Sequence, residues 1–453
     1  MLINTPAVEI FVKYVCPLDW RYGSEEMRKI FQVENIVRKY IEVERALVCA
    51  LEEVGIAEPG SCEKVSRAEV SPEEMYEMEK KTGHDIASLA FLLEEKSGCR
   101  FVHYGATSYD IVDTAWALIF REAIGVLKRK LIQLIQELID KARKFSDLVM
   151  IGRTHGQHAL PITLGFKFAN YVYELARGLE MLLHAEKLVV RGKISGAVGT
   201  MAAWGDKGLE VEARTLKRLG LEPHAISTQV APRDGFAYLI SVLAIIGSQL
   251  DRLALEIREL SRPEIGELYE GFERVGSSAM PHKANPVTSE KVSGLAKVLR
   301  GLVITALENI PLWHERDLTN SSSERILIPH AFLILDEMIE SMIKVLKNLV
   351  INEYNIRKNL ELLKNYTLTE MVMNILIQKG MPRAKAHEIL RRISKKYSEG
   401  KTLQEALLED QEVRKYLTDE EISKIRPENY LGKVKELIER AIEYANRVIS
   451  TAQ

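Results

Sequence analysis

The chain has 453 residues, 46% of them hydrophobic, and a formal net charge of -2. That length and apolar content allow a large core, as two to four domains or one elongated helical body, while the near-neutral charge excludes the electrostatic pull that draws proteins to nucleic acid or anionic membrane. Its four cysteines, Cys16, Cys49, Cys62 and Cys99, lie in the first quarter without CxxC spacing, so neither a disulfide framework nor a zinc site is expected and a reducing cytoplasm fits.

The N-terminus, Met1 to Glu9, lacks the basic and apolar regions of a signal peptide. No apolar run approaches the ~20 residues needed to span a bilayer, so a soluble, intracellular protein without a membrane partner is expected. Ser24 reads as an N-cap, and Met27, Ile30, Phe31, Val37, Ile41, Leu47, Leu51 and Val54 then recur at helical spacing before Gly55, which predicts one long amphipathic helix. Ser71-Pro72-Glu73-Glu74 predicts the start of a short helix ending near Gly83. A polar turn from Gly105 to Asp110 precedes a pattern that runs without a breaker from Ile111 to Phe145, approaching ~50 Å of helix at the usual rise per residue.

Further long helical patterns cover 163–190, 235–262, 286–309 and 321–350, and alternating strand-like runs are nearly absent. Helices of ~35 residues are stable only when packed along their length, so the pattern predicts an all-α bundle. Stretches such as Leu239 to Ile246 are apolar on more than one face, which implies contacts between subunits along the bundle. The region from Asn365 to Leu368 sets off a C-terminal helical segment, broken in turn at Gly380-Met381-Pro382.

One stretch departs from this regularity. From about Leu268 the periodic pattern stops, and Gly276-Ser277-Ser278-Ala279-Met280-Pro281-His282-Lys283-Ala284-Asn285-Pro286 follows, with Pro286 reading as the first residue of the next helix. An irregular insert longer than ~12–15 residues is usually functional or disordered. Two rigid prolines and a set of hydroxyl, ammonium, imidazole and carboxamide groups favour the functional reading.

A second polar cluster, Gly152-Arg153-Thr154-His155-Gly156-Gln157-His158-Ala159-Leu160-Pro161, reads as a turn opening a long helix. His155 suits general acid or base chemistry, with Glu290 available to orient it. A metal reading of His155 and His158 lacks a carboxylate at ligand spacing. In the third cluster, Trp313 to Arg325, the Ser321-x-x-Glu324 spacing reads as a capping box whose free N–H groups, with Arg325, suit a phosphate as well as an ordinary helix cap. Arg21-Tyr22, Thr82-Gly83-His84-Asp85 and His103-Tyr104-Gly105-Ala106-Thr107-Ser108 complete six donor-rich turns at helix ends, a match for anionic groups on a ligand.

The run from Gly276 to Pro286 resembles the signature of the fumarase/aspartase superfamily, whose members release fumarate by β-elimination. Within it, Arg21-Tyr22 before Ser24-Glu25-Glu26-Met27, the Thr82–Asp85 run, Val102-His103-Tyr104-Gly105, Gly152-Arg153-Thr154-His155 and Trp313-His314-Glu315-Arg316-Asp317 resemble the adenylosuccinate lyase family over essentially the whole chain, thinning after about Val350. Ala284 is a departure, because this family commonly carries arginine between the lysine and the asparagine.

The resemblance implies an all-α fold of three helical domains, 1–109, 110–364 with the signature loop, and 365–453. Central helices of four subunits would form a twenty-helix core, and each active site would be built from three chains of a homotetramer. The implied reaction is carbon–nitrogen cleavage of two succinylated nucleotides, adenylosuccinate and the succinylated aminoimidazole carboxamide ribotide, with release of fumarate and no metal or organic cofactor. Ser277 would be the general base, His155 the general acid with Glu290 orienting it, and Lys283 and Asn285 would hold the carbanion's charge.

Thr107, Ser108, Thr154 and Gln229 would grip the fumaryl carboxylates or the base. Arg21, Tyr22, His84, His103, Arg316, Ser321 and Arg325 would contact the nucleotide and phosphate, with Asp85 in the same turn as His84. Two other readings stand beside this one: a superfamily lyase with another substrate, such as argininosuccinate, and a non-enzymatic helical scaffold.

Overall fold

Polar punctuation sets most helix ends. In the computed structural model, which describes residues 15–272, 280 and 283–452, long helices run Ser108–Lys144, Leu164–Val189, Arg233–Leu260, Val287–Glu308 and Thr319–Lys347, as the spacing predicts. The chain divides into two compact units. One comprises Met1–Leu131, Gly178–Leu250 and Gly294–Glu340, the other Ile132–Arg177, Asp251–Ser293 and Ser341–Gln453.

In the first unit the Ser24 hydroxyl caps Glu25–Phe31 by accepting the Met27 N–H at 3.1 Å. The single helix expected over 24–54 is in fact two. Gln32 takes extended angles (φ -64°, ψ 147°) and Val33–Glu53 starts after it. A periodic count tolerates one extended residue, and Phe31-Gln32-Val33 has no glycine or proline to announce it. Pro72–Thr82 begins with the anticipated reciprocal cap between Ser71 and Glu74 and ends at left-handed Gly83.

Phe120 sits at the centre of this unit's aromatic packing, edge-on to Phe236 at 5.1 Å and stacked near Trp116 and Phe332. Lys130 ties three segments through Ser24 Oγ (2.8 Å), Asp336 Oδ1 (2.5 Å) and Glu340 Oε1 (2.8 Å). Cys49 and Cys62 form a disulfide, contrary to the expectation from spacing alone. The helix Ser61–Arg67 folds back on Val33–Glu53 and brings the two Cα atoms to 4.4 Å, which a separation of 13 residues does not reveal. Cys16 and Cys99 remain free thiols.

In the second unit the cluster around His155 is an antiparallel hairpin, Val149–Thr154 with Gln157–Thr163, rather than a plain turn before a helix. Leu268–Glu270 also forms a strand, paired with Leu349–Ile351, so the irregular stretch begins later than its sequence pattern suggests. Pro286 accepts the first helical bond from the Glu290 N–H at 3.0 Å, which makes it the residue before the helix rather than its first. Leu368, Val372, Leu376, Met381, Ile389, Leu403 and Leu407 pack a separate C-terminal core within this unit.

The Arg233–Leu260 helix is long and apolar enough to cross a bilayer by length and composition, yet 56% of its apolar window is buried inside the chain, the behaviour of a core helix.

Candidate active site

The turn at Gly83 delivers His84 as the N-cap of Asp85–Ser97, with its Nδ1 accepting the Ala87 N–H at 3.4 Å. That leaves His84 Nε2 3.3 Å from the Ser108 hydroxyl at the start of the Ser108–Lys144 helix. The second turn is set by Asp110. This fully buried carboxylate accepts the Thr107 N–H (2.7 Å), the Ser195 N–H (2.8 Å) and the Gly196 N–H, and pairs with buried Lys193 Nζ at 2.7 Å. Donors surrounding a buried charge offset its desolvation, so the Thr107-Ser108 turn is rigidly placed.

The third element is the start of Thr319–Lys347. Ser321 is not its N-cap, and the expected capping box is absent. The Asp317 carboxylate accepts the Thr319 N–H at 2.8 Å, one turn earlier than the spacing suggested. Glu324 is drawn inward instead to Arg233, whose Nε lies 2.8 Å from Oε1 without hydrogen-bond alignment and whose other nitrogens hold Asp113 at 2.8 and 2.9 Å. Burial pushes the Glu324 carboxyl above its ordinary pKa, with Arg233 opposing the shift.

These three elements line one cavity of ≈ 220 Å³. His84, Asp85, Ser108, Arg316, Ser321 and Arg325, all anticipated from the sequence, meet there. Arg325 pairs with Asp85 at 2.7 Å. Arg316 lies over the Tyr109 ring at 3.7 Å and donates through Nη1 to Gln229 Oε1 at 3.1 Å, which puts Gln229 directly behind the cavity wall. Its Nε and Nη2 are buried with no hydrogen-bond partner among the described residues. A buried guanidinium with two unused donors is an attractor for a carboxylate or phosphate.

Glu324, expected as a cap, also lines the cavity, as do Tyr109 and Tyr40, which were not anticipated. Tyr109 had a signal, since it follows Ser108 in the first turn of a helix; Tyr40 lies mid-helix, where nothing in the sequence marks it.

The remaining candidates lie elsewhere. Arg21 is exposed, its guanidinium within 6 Å of the Trp20 and Tyr22 rings, ahead of the Ser24 cap. His103 holds a left-handed φ of 56° and pairs through Nδ1 with Oε1 of fully buried Glu44 at 2.6 Å. Burial alone would lower the His103 pKa, but the charge and hydrogen bond of Glu44, helped by Asp110, outweigh it and hold the ring above its ordinary value.

Thr154, His155, Lys283, Asn285 and Glu290 belong to the second unit. His155 and Gly156 form the two-residue tip of the hairpin, at φ 53° and 72°, the signs of a type I′ turn. Its ring is exposed and makes no hydrogen bond with Glu290, which is exposed as well. Lys283 is exposed and Asn285 half-buried. Ser277, the expected base, lies outside the described residues, as do Pro281 and His282.

Residues 28–301 match the family model described as "Lyase", and residues 365–441 match "Adenylosuccinate lyase C-terminus". The fold is similar to that of a fumarate lyase from Mesorhizobium sp. BNC1, with a TM-score of 0.86 and 27% identity over 95% of this chain and 99% of that one. It is equally similar to 3-carboxy-cis,cis-muconate lactonizing enzyme from Pseudomonas putida, with a TM-score of 0.86 and 26% identity over the same shares. The chain therefore belongs to the superfamily of helical lyases that includes fumarate lyase.

Curated relatives narrow this. Adenylosuccinate lyases of Pyrococcus horikoshii and Pyrococcus abyssi are 46% and 45% identical over 96% of this chain and 98% of theirs, and that of Archaeoglobus fulgidus is 42% identical over 96% and 99%. Within the superfamily, the chain belongs to the adenylosuccinate lyase family.

Proposed function

We propose that the protein cleaves adenylosuccinate to AMP and fumarate, and the succinylated aminoimidazole carboxamide ribotide to the carboxamide ribotide and fumarate. In this reading Ser277 takes the proton from the succinyl Cβ, and the electron pair left behind is delocalised into the adjacent carboxylate. The Cα–N bond then breaks as the Cα=Cβ double bond forms, and His155 gives a proton to the departing nitrogen. Lys283 and Asn285 hold the charge that grows on the carboxylate, stabilisation often worth several kcal/mol. A serine hydroxyl is a poor base at neutral pH, so the reading requires that Lys283 and neighbouring donors lower its proton affinity.

Arg316, Ser321 and Arg325 take the phosphate, with His84, Asp85, His103, Arg21 and Tyr22 around the nucleotide, and Thr107, Ser108, Thr154 and Gln229 toward the succinyl carboxylates. The observation that carries the reading is the cavity itself: six expected contacts from three distant stretches of sequence, with Arg316 donors unspent and buried.

The same proposal includes a homotetramer with shared sites and the domain partition 1–109, 110–364 and 365–453. Val298, Ile304, Leu307 and Ile310 are exposed in the single chain, the kind of apolar surface that a second copy covers. Sites assembled from several copies also reconcile an exposed His155, without a hydrogen bond to a described residue, with an acid that needs an orienting carboxylate. A cytoplasmic location belongs to the proposal because its substrates carry several charges and do not cross bilayers unaided.

The test is the absorbance change on incubating purified protein with each succinylated nucleotide. Loss of the substrate spectrum with fumarate appearing is expected; unchanged spectra with both overturn the proposal.

A further inference from the structure

His155 holds a backbone conformation that few residues with a Cβ adopt, histidine and asparagine more often than most. Its φ is a left-handed 53°, and the ring makes no hydrogen bond to a described residue. Its aim is therefore set by the hairpin backbone, which packs against the Glu353–Glu361 helix and the Tyr366–Leu368 turn and carries one charged tie of its own. Two residues before His155, Arg153 turns its guanidinium onto Glu267 in a planar two-pronged pair, Nη1 to Oε2 at 3.0 Å and Nη2 to Oε1 at 2.6 Å. Glu267 has no exposed surface and accepts a third bond from Asn359 Nδ2 at 2.9 Å.

The backbone of Glu267 is fixed too. Its N–H donates to Leu260 O at 2.9 Å, and its carbonyl accepts the Asn352 N–H at 2.9 Å. The residue before it, Gly266, has φ +58°, and a Cβ there would stand 2.6 Å from Asn355 Nδ2. A side chain there would strain the left-handed backbone and push aside the Asn355 amide, which donates to the Gly266 carbonyl at 3.0 Å. The hairpin ladder shifts register between Ile151 and Arg153, an irregularity that twists the strand and leaves its tip dependent on an anchor outside the ladder. Arg153 faces His158 across that ladder, and burial together with Arg153 lowers the His158 pKa, with Glu267 opposing the shift.

We propose that Glu267 is a positioning residue for His155, acting through Arg153. The inference rests on the reading of His155 as the general acid. Glu267 touches no reacting atom; it fixes the height and twist of the strand from which the imidazole projects. A displacement of the acid by about 1 Å costs on the order of 10²-fold in rate, whereas it changes substrate binding little.

The test is a double-mutant cycle on the full-length protein with adenylosuccinate. Glu267→Gln, which keeps the shape and removes one charged prong, is expected to lower kcat by about 10–100-fold with KM nearly unchanged. The same substitution in a His155→Ala background is expected to cost nothing further, because a residue that acts through the imidazole has nothing left to aim. Arg153→Lys, which keeps the charge and loses the fork, repeats the cycle should Glu267→Gln fold poorly.

Equal losses in both backgrounds, or a loss confined to KM, overturn the inference and leave the acid in place. An unchanged kcat in His155→Ala alone overturns the reading of His155 and the inference with it.

Discussion

The hairpin tip makes a prediction in which stability and activity move in opposite directions. His155 at φ 53° occupies a region that costs a residue with a Cβ roughly 1–2 kcal/mol; histidine and asparagine both enter it more readily than most side chains, and asparagine can also hydrogen-bond locally there. Asn-Gly is moreover the favoured pair for a type I′ turn, which is the position of His155-Gly156. His155→Asn should therefore leave the fold as stable or more stable, by up to about 1 kcal/mol.

Loss of a general acid costs typically about 10²–10⁴ in rate, so kcat should fall by that factor. At Gly156, φ is +72° and an added Cβ meets nothing within 4 Å, so Gly156→Ala isolates the backbone effect, a destabilisation of about 1–2 kcal/mol. Thermal melts paired with initial rates read both quantities. A less stable His155→Asn protein that keeps its rate would refute the reasoning, both on the strain and on the role.

The other predictions concern separate parts of the molecule. Arg325→Met should weaken AMP binding by about 10–100-fold, measured by calorimetry, because it removes a charge-assisted donor from the cavity; unchanged affinity would contradict the phosphate role. The His103 pKa is raised in the folded chain, so its pairing with Glu44 stabilises fully below the unfolded value of about 6.5 and that contribution fades as pH rises through the folded value. The stability gap between wild type and Glu44→Gln should thus narrow from pH 6 toward pH 9 in thermal melts; a gap that widens would reverse the assignment. Reducing the Cys49–Cys62 disulfide, or Cys62→Ser, should cost up to about 3 kcal/mol for a closed loop of this size, and an unchanged melting temperature would contradict a structural bridge.

How legible the molecule was in its sequence depended on whether the signal was local. Helix ends written in neighbouring residues, such as the Ser71 and Glu74 cap or Gly83, were readable because the groups that satisfy the backbone lie within one turn. Ser321-x-x-Glu324 has the same local spelling and is not a cap, because a distant cation, Arg233, outcompetes the backbone for Glu324. The hairpin was hidden because Val149-Met150-Ile151 is too short to show alternation, and Gly152 and Pro161 read as punctuation. The Cys49–Cys62 bridge depends on one helix folding back on another, which no spacing rule encodes.

In the candidate site, residue types at helix ends announced the cationic and hydroxyl groups, and the motif resemblance supplied their roles. What no local pattern could give was the convergence of His84, Ser108, Arg316 and Arg325 on a single cavity, or the unspent donors of Arg316, since both are products of packing.

Product stoichiometry tests the assigned cleavage most directly. Wild-type protein incubated with adenylosuccinate should yield AMP and fumarate in equal amounts by chromatography, while Ser277→Ala binds the nucleotide and yields neither. Wild type that consumes no adenylosuccinate, or Ser277→Ala that turns it over at the wild-type rate, would contradict it.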